Sequence, residues 1–209
     1  SVAALLLQKR GYEVIAVRMR VYDGPDDRNL AYGCYGRSSA DDEKSAADTA
    51  KRLGIAFTIL ECANPWREGV LEYFRGEYLA GRTPNPCIRC NEMVKFGFLP
   101  SLARAQGIDY EYFATGHYAT VAKDPAGAWT TLKRGLDPRK DQSYFLYRLK
   151  PELLESLILP LGELSKDEVR ALAKEGGLAS HDRPDSQDFY GGDYSALINV
   201  PDREGLIVD

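Results

Sequence analysis

Apolar and polar positions alternate along the chain in blocks that predict helices and strands in turn. The apolar stretch 2–10 ends at Gly11 and predicts a helix, and the β-branched stretch 12–19 predicts a buried strand. Glycines and prolines separate the later blocks in the same way. The later predicted helices cover 38–53, 66–79, 93–106, 151–157 and 166–175, and the later predicted strands cover 55–60, 110–116, 118–122 and 129–134, the last two forming a hairpin.

This order of elements predicts an α/β fold. Helices that alternate with short β-rich stretches are typical of a parallel sheet with helices on both faces. The apolar helix at the start of the chain has no strand before it. We therefore expect the first strand of such a sheet to be missing from these 209 residues.

Composition narrows the functional classes. The chain is 44% hydrophobic and 28% charged, and it contains no apolar run of bilayer length, so we predict a cytoplasmic protein without a membrane partner. Its net charge of −4 gives no overall attraction for nucleic acid, so an RNA partner would have to meet a local basic patch. Four cysteines in a chain of this length favour a redox, metal or catalytic role over a disulfide scaffold.

Two of these cysteines, Cys87 and Cys90, form a C-x-x-C motif in a stretch with unusual chemistry. Pro84 and Pro86 predict a shaped loop over 83–87, because proline fixes φ and removes a backbone donor. Thiols beside positive charge favour sulfur chemistry or metal binding next to an anionic partner. The nearby cationic side chains are Arg82, Arg89 and Lys95.

Five motifs, taken in order, resemble the signature motifs of the tRNA-specific 2-thiouridylases, and the resemblance covers nearly the whole chain. The motifs are 80–91 with Lys95 and Phe96, then 114–119, 140–146, 160–162 and 185–187. The resemblance implies a Rossmann-like fold of the adenine nucleotide alpha hydrolase type. It also implies ATP-dependent 2-thiolation of a wobble uridine: ATP adenylates the C2 oxygen, a sulfur nucleophile attacks C2, and AMP departs.

The resemblance also implies how the chain is organised and what it meets. Residues 1–195 would be an ATP-pyrophosphatase catalytic domain lacking its first strand and phosphate-binding PP-loop, and 196–209 the incomplete start of a central tRNA-binding domain. We expect the 209 residues to be monomeric and inactive alone. The implied cofactors are ATP and Mg²⁺, and the implied partners are the tRNA anticodon loop and a sulfur donor or persulfide carrier protein.

Site residues follow from the same resemblance. Cys90 would be the catalytic nucleophile, with Cys87 as a second catalytic thiol, while Met19 and Gly116 would contact ATP. The residues implied to line the target base are Asn85, Pro86 and Cys87, and those implied to contact tRNA are Lys140, Asp141 and Gln142. Simpler interpretations stay open: a core methionine, a glycine turn and an exposed polar turn at 140–142. For the aromatic residues Tyr144, Phe145 and Tyr147, core positions are favoured over base-stacking platforms. His117 is either structural or an acid–base group, and Cys62 is most simply a buried apolar residue.

Two positions depart from the family pattern. Cys87 stands where the family usually has aspartate, and Tyr190 stands where it has a second, persulfide-carrying cysteine. Three roles of the cysteines remain open. In the first, Cys34, Cys87 and Cys90 hold a [4Fe-4S] cluster, since thiolates ligate such clusters. In the second, Cys87 and Cys90 are a persulfide and resolving pair. In the third, they bind structural zinc, which needs a fourth ligand.

Two other functions remain as alternatives. The first is a PP-loop ATP-dependent ligase or amidotransferase that acts on a small molecule. The second is a metal-stabilised RNA-binding module without catalysis. The C-x-x-C motif and its basic surroundings disfavour the first, and release of pyrophosphate that depends on tRNA would separate it from a thiolase.

Overall fold

The structure is a computed structural model that describes residues 1–22, 34–35, 39–179, 189–190 and 192–198. The strands are β1 (Ile15–Arg20), β2 (Ala56–Glu61), β3 (Phe113–Ala114), β4 (Ala119–Lys123), β5 (Thr130–Arg134) and β6 (Leu157–Ile158). The α-helices are α1 (Val2–Lys9), α2 (Ser39–Leu53), α3 (Ala63–Trp66), α4 (Glu72–Leu79), α5 (Pro86–Cys90), α6 (Leu99–Ala105), α7 (Pro151–Leu154), α8 (Lys166–Glu175) and α9 (Tyr194–Ile198). Two wide π-helical segments, Arg67–Leu71 and Asn91–Phe98, and one 3₁₀ turn, Ser143–Leu146, complete the helical elements.

The parallel α/β prediction is confirmed. β1 pairs in parallel with β2 in a register that runs from Ile15 opposite Ala56 to Arg20 opposite Glu61, and α2 lies between the two strands in sequence. Gly54 follows α2 with a φ of +65°, a left-handed conformation that glycine adopts without steric cost. The predicted stop of this helix therefore has the expected backbone cause.

Two further ladders lie later in the chain. β3 pairs in parallel with β6, and β4 pairs with β5 as the predicted antiparallel hairpin. The strand predicted over 110–116 is only two residues long. The helix predicted over 151–157 is wrong at its end, because α7 stops at Leu154 and Leu157 pairs with Phe113 instead. Pairing with a strand distant in sequence overrides the local apolar pattern there.

The C-x-x-C motif lies on a helix, so the predicted loop over 83–87 is wrong for its last two residues. Asn85 caps α5, its side-chain oxygen accepting a hydrogen bond from the Ile88 N–H at 3.2 Å. Pro86 occupies the first helical position, where its fixed φ suits the helix and no donor is lost. Helical backbone then continues through the π segment Asn91–Phe98 into α6.

The main core packs around aromatic side chains next to this helical run. Trp66 and Phe74 are each 1% exposed, and Phe189 lies 6.1 Å from Trp66 and 5.1 Å from Phe74 between ring centroids. Cys90 and Tyr190 belong to the same buried cluster. Phe189 and Tyr190 therefore pack into the part of the core that contains Cys90.

Two findings bear on organisation. In the described part of the chain, no helix has the length and apolarity needed to cross a bilayer. Leu197 of α9 is buried in the main core, and its carbonyl oxygen accepts a hydrogen bond from the Arg75 side chain at 2.5 Å. The predicted domain boundary after residue 195 stays a prediction, since most of 196–209 lies outside the described residues.

Candidate functional site

Two thiols lie one helical turn apart. Cys87 is half-buried in the first turn of α5, and Cys90 is its last residue and is buried. Side chains separated by three positions share a face of a helix, so the two sulfurs belong to one surface. The structure thus brings together the pair that the motif predicted.

Cys34 joins this pair from a distant part of the sequence. Its Sγ lies 3.8 Å from the carbonyl oxygen of Phe189, which is 155 positions away, and that oxygen also accepts a hydrogen bond from the Tyr35 N–H at 2.9 Å. The pKa of the Cys34 thiol is raised to about 12, chiefly by burial and in smaller part by the charges of Cys90 and Cys87. Cys34 as a whole residue is exposed, whereas its thiol lies in a crowded, largely desolvated site.

Trp66 forms one wall beside these thiols. The ring of Tyr35 stacks on the indole with 4.3 Å between centroids and an interplanar angle of 14°, which fixes the residue after Cys34. The indole lies close enough to Cys90 to lower the pKa of its thiol, although Nε1 has no hydrogen bond of ordinary geometry in the described part of the chain. No sequence motif pointed to this tryptophan.

Burial decides the protonation of Cys90. Desolvation raises the pKa of its thiol, and the positive charge of Lys95 lowers it only in part. Of the three cations near Cys90 in the sequence, each of which would favour the thiolate, Arg82 and Arg89 have guanidinium groups that are engaged elsewhere. Arg82 pairs with Glu77 at 2.6 Å, and Arg89 donates to the Gly69 carbonyl at 3.2 Å. Lys95 alone acts in the predicted direction.

Lys95 also influences His117. The pKa of His117 is lowered to about 3, chiefly by burial and in smaller part by the nearby charge of Lys95. His117 Nδ1 and Thr115 Oγ1 form a hydrogen bond of 2.8 Å, which orients the ring. The imidazole is therefore neutral at physiological pH. Of its two predicted roles, the structural one is supported, and a charged acid is disfavoured.

The implied tRNA-contacting triplet has internal partners. Asp141 accepts hydrogen bonds from the Gly135 N–H at 3.0 Å and the Ser143 hydroxyl at 2.8 Å, and these bonds lower the pKa of its carboxyl. Gln142 accepts from the Tyr118 N–H at 2.9 Å. Lys140 is half-buried. The first role of Asp141 and Gln142 is thus to shape this turn, and their contact with tRNA stays a prediction.

The implied nucleotide contacts lie at strand ends. Met19 is the penultimate residue of β1 and is half-buried against the main core, while Gly116 follows β3 and is exposed. Carboxyl ends of parallel strands are where ligands bind in such sheets. A β-carbon at Gly116 would meet Leu161 at an ordinary 3.5 Å, so packing inside the protein does not require glycine there.

The metal prediction gains no geometric support. Within the described ranges, no group of three or more His, Cys, Asp or Glu side chains is arranged to hold a metal ion, and Cys34, Cys87 and Cys90 all lie in those ranges.

Cys62 is fully buried, as predicted for an apolar residue. Tyr190 is buried against Tyr35, with 6.3 Å between ring centroids. The motif 185–187 lies outside the described residues.

Sequence reasoning missed Asn91, which is 3% exposed. Its Nδ2 donates to the Phe145 carbonyl at 3.2 Å, whereas its Oδ1 has no hydrogen-bond partner among the described residues. A polar residue directly after Cys90 was the available signal. The core interpretation of the aromatics is also wrong for Tyr144 and Tyr147, which are 61% and 62% exposed.

Comparison with known proteins gives one family and several close relatives. The family model described as "tRNA methyl transferase HUP domain" matches residues 1–190. Proteins named tRNA-specific 2-thiouridylase MnmA are similar over the whole chain: that of Endomicrobium trichonymphae is 43% identical over 212 residues, and that of Clostridioides difficile (strain 630) is 41% identical over 216 residues. The protein of that name from Roseiflexus castenholzii is 41% identical over 230 residues, again over the whole chain.

The chain spans only part of each of these relatives. It covers 59% of the Endomicrobium protein, 58% of the Clostridioides protein and 61% of the Roseiflexus protein.

Proposed function

The chain belongs to the family of the tRNA methyl transferase HUP domain, and from that premise we propose that it is the catalytic domain of an ATP-dependent enzyme that converts the wobble uridine of tRNA to 2-thiouridine. The observation that carries the proposal is the meeting of three thiols, Cys34, Cys87 and Cys90, in one crowded site. The name of the relatives, tRNA-specific 2-thiouridylase, supports the same reaction.

The proposed chemistry uses the two thiols of α5. Met19 and Gly116 would contact ATP, which would be bound with Mg²⁺. Transfer of the AMP group of ATP to the uridine C2 oxygen, with release of pyrophosphate, would make that oxygen a leaving group. The terminal sulfur of a Cys90 persulfide attacks C2, so a C–S bond forms and the C–O bond to AMP breaks. The Cys87 thiolate then attacks Cys90 Sγ. The bond to the uridine sulfur breaks with its electron pair, 2-thiouridine is released, and a Cys87–Cys90 disulfide forms, which a dithiol must reduce.

Burial of Cys90 suits a nucleophile that must be protected until substrate arrives. Its raised pKa keeps the thiol protonated, and thiolate is the reactive form. Lys95 is the cation that opposes this effect from within the site. The base would enter along the start of α5, where Asn85, Pro86 and Cys87 lie, with Lys140, Asp141 and Gln142 holding the neighbouring RNA.

A thiolation assay tests the reaction. The full-length protein is incubated with ATP, a persulfide donor and tRNA, and thiolated tRNA is separated on a mercury-containing gel. We expect Cys90→Ser to abolish the product, whereas Cys62→Ala, a change at a cysteine outside the proposed chemistry, keeps it. Thiolation by the Cys90→Ser protein would contradict the proposal. Pyrophosphate release without tRNA, and with a small-molecule acceptor, would favour the ligase alternative.

A second measurement separates the sulfur routes. After turnover without reductant, the persulfide route leaves a Cys87–Cys90 disulfide, detectable by mass spectrometry of peptides. The iron–sulfur route instead requires iron bound after anaerobic reconstitution and lost in Cys34→Ser, Cys87→Ser and Cys90→Ser proteins. Iron at one cluster per chain, without that disulfide, would replace the persulfide route while leaving the overall reaction intact.

A further inference from the structure

Two tyrosines next to the cysteine helix are exposed side by side. Tyr144 and Tyr147 are 61% and 62% exposed, and their rings lie nearly parallel, with 6.2 Å between centroids and an angle of 27°. Leu146, between them in the same turn, is 1% exposed. The 3₁₀ turn therefore anchors itself through its leucine and holds two aromatic faces toward solvent.

This tyrosine pair is tied directly to the residues that follow Cys90. Asn91 donates from Nδ2 to the Phe145 carbonyl at 3.2 Å, and the Arg148 guanidinium pairs with Glu92 at 2.8 Å. The first contact is made by Phe145, within the 3₁₀ turn, and the second by Arg148, two residues after the turn ends. The position of the rings relative to the Cys90 helix is thus set by two bonds rather than by a flexible connection.

The local charge is suited to an anionic partner. Residues 138–150 contain four basic side chains and one acidic side chain, whereas the whole chain has a net charge of −4. The acidic one, Asp141, is occupied by hydrogen bonds to Gly135 and Ser143. Exposed aromatic faces within a basic surface are the common means of binding single-stranded nucleic acid, because bases stack on the rings while cations meet phosphates.

We propose that Tyr144 and Tyr147 form a stacking platform for an unpaired nucleobase of the anticodon loop, next to the uridine held at Cys90. This inference rests on the proposed function, since it takes the substrate to be tRNA. The platform holds the neighbouring nucleotide while the target base is turned toward the thiols. Stacking is tolerant of base identity, so the pair contributes affinity and position rather than sequence discrimination.

Binding of an anticodon stem–loop to the full-length protein tests the platform. The RNA carries the fluorescent base 2-aminopurine beside the wobble position. Stacking on an aromatic ring quenches the fluorescence of this base. We expect Tyr144→Ala and Tyr147→Ala each to raise Kd about 5- to 100-fold and to remove the quenching, as loss of one base–aromatic stack does. The Tyr→Phe variants should bind like wild type. Trp129→Ala is the matched control, because Trp129 is 63% exposed on the β4–β5 hairpin.

The outcomes separate the platform from the reaction. Unchanged Kd and unchanged quenching in both alanine variants overturn the platform, even if the protein thiolates tRNA. Weaker binding of the persulfide donor protein with unchanged RNA binding also overturns it, since the tyrosines would then serve a protein partner. A third outcome is possible: the alanine variants lose RNA binding, but the wild-type protein does not thiolate tRNA. That result supports the platform and contradicts the proposed function.

Discussion

Gln142 and Tyr118 are joined by two hydrogen bonds, one from the side chain of Gln142 and one from its backbone. The Gln142 side-chain oxygen accepts from the Tyr118 N–H at 2.9 Å, and the Gln142 N–H donates to the Tyr118 carbonyl at 2.8 Å. The last residue of the implied tRNA triplet is thereby fixed to the residue after His117. Two stretches 24 positions apart are thereby held together.

This pairing predicts that Gln142 contributes to stability. Gln142→Ala removes the acceptor of the Tyr118 N–H and should lower the free energy of unfolding by about 1–3 kcal/mol, the usual cost of a buried donor left without its partner. Gln142→Glu keeps an acceptor oxygen and should cost less. Urea unfolding measures both. Equal stability of the alanine variant and wild type would show that this oxygen is dispensable to the fold.

The burial of His117 predicts a pH dependence of stability. Its pKa falls from 6.5 to about 3 on folding, so between these values the unfolded state binds more protons. The stabilisation that depends on neutral His117 is therefore complete above pH 6.5 and decreases as the pH falls toward 3. In the His117→Asn protein, the free energy of unfolding should depend less steeply on pH over this interval. The slope should be smaller by up to about 1.4 kcal/mol per pH unit.

Urea unfolding of the wild type and His117→Asn at pH 7, 6 and 5 measures the difference. The carboxylates titrate in both proteins, so subtracting the two curves isolates the histidine. Parallel curves would mean that His117 is not held neutral by the fold.

The position of Lys95 predicts the reactivity of Cys90. Its charge lowers the pKa of the Cys90 thiol against the larger effect of burial. Lys95→Met should therefore move the pH profile of Cys90 alkylation to higher pH and slow the reaction at pH 8, whereas Lys95→Arg should keep the wild-type profile. Mass spectrometry of the Cys90 peptide after timed iodoacetamide treatment measures the rate. A profile unmoved by Lys95→Met would place the charge too far from the sulfur to matter.

The same lysine lowers the pKa of His117. Lys95→Met should thus raise the pKa values of both groups. Histidine titration followed by NMR provides the second measurement, independent of thiol chemistry.

Gly97 lies in the π segment, and its surroundings predict that any side chain at this position destabilises the fold. A β-carbon there would lie 2.8 Å from the Glu92 carbonyl oxygen, a clash with backbone five residues earlier. Gly97→Ala should therefore destabilise the fold and disturb the helix that continues from Cys90. Gly76→Ala in α4 is the matched control, because nothing lies within 4 Å of its added carbon, and it should stabilise by about 0.5–1 kcal/mol.

Thermal unfolding of the two alanine variants beside wild type gives the comparison. A Gly97→Ala protein as stable as Gly76→Ala would mean that the π segment readjusts without cost.

Local features of the sequence determined most of the elements. Two helices end at Gly11 and Gly54, where glycine adopts a positive φ. The β4–β5 hairpin follows from the alternating residues on either side of its turn. The start of α8 follows from the spacing of Ser165 and Glu168, which form a capping box. Each of these depends on residues within a few positions of one another. The family motifs likewise kept their order, so the family could be identified before any contact was known.

Only the tertiary structure decided the chemistry of the site. The approach of Cys34 to Cys87 and Cys90 depends on a contact across 155 positions. The side chains of Asn91 and Gln142 have partners 54 and 24 positions away, which no local pattern indicates. Burial and charge at a sulfur depend on every element packed around it, whereas helix and strand patterns depend on neighbours along the chain. The sequence by itself therefore identified the thiols and their family, and the fold determined which thiols meet and how strongly each holds its proton.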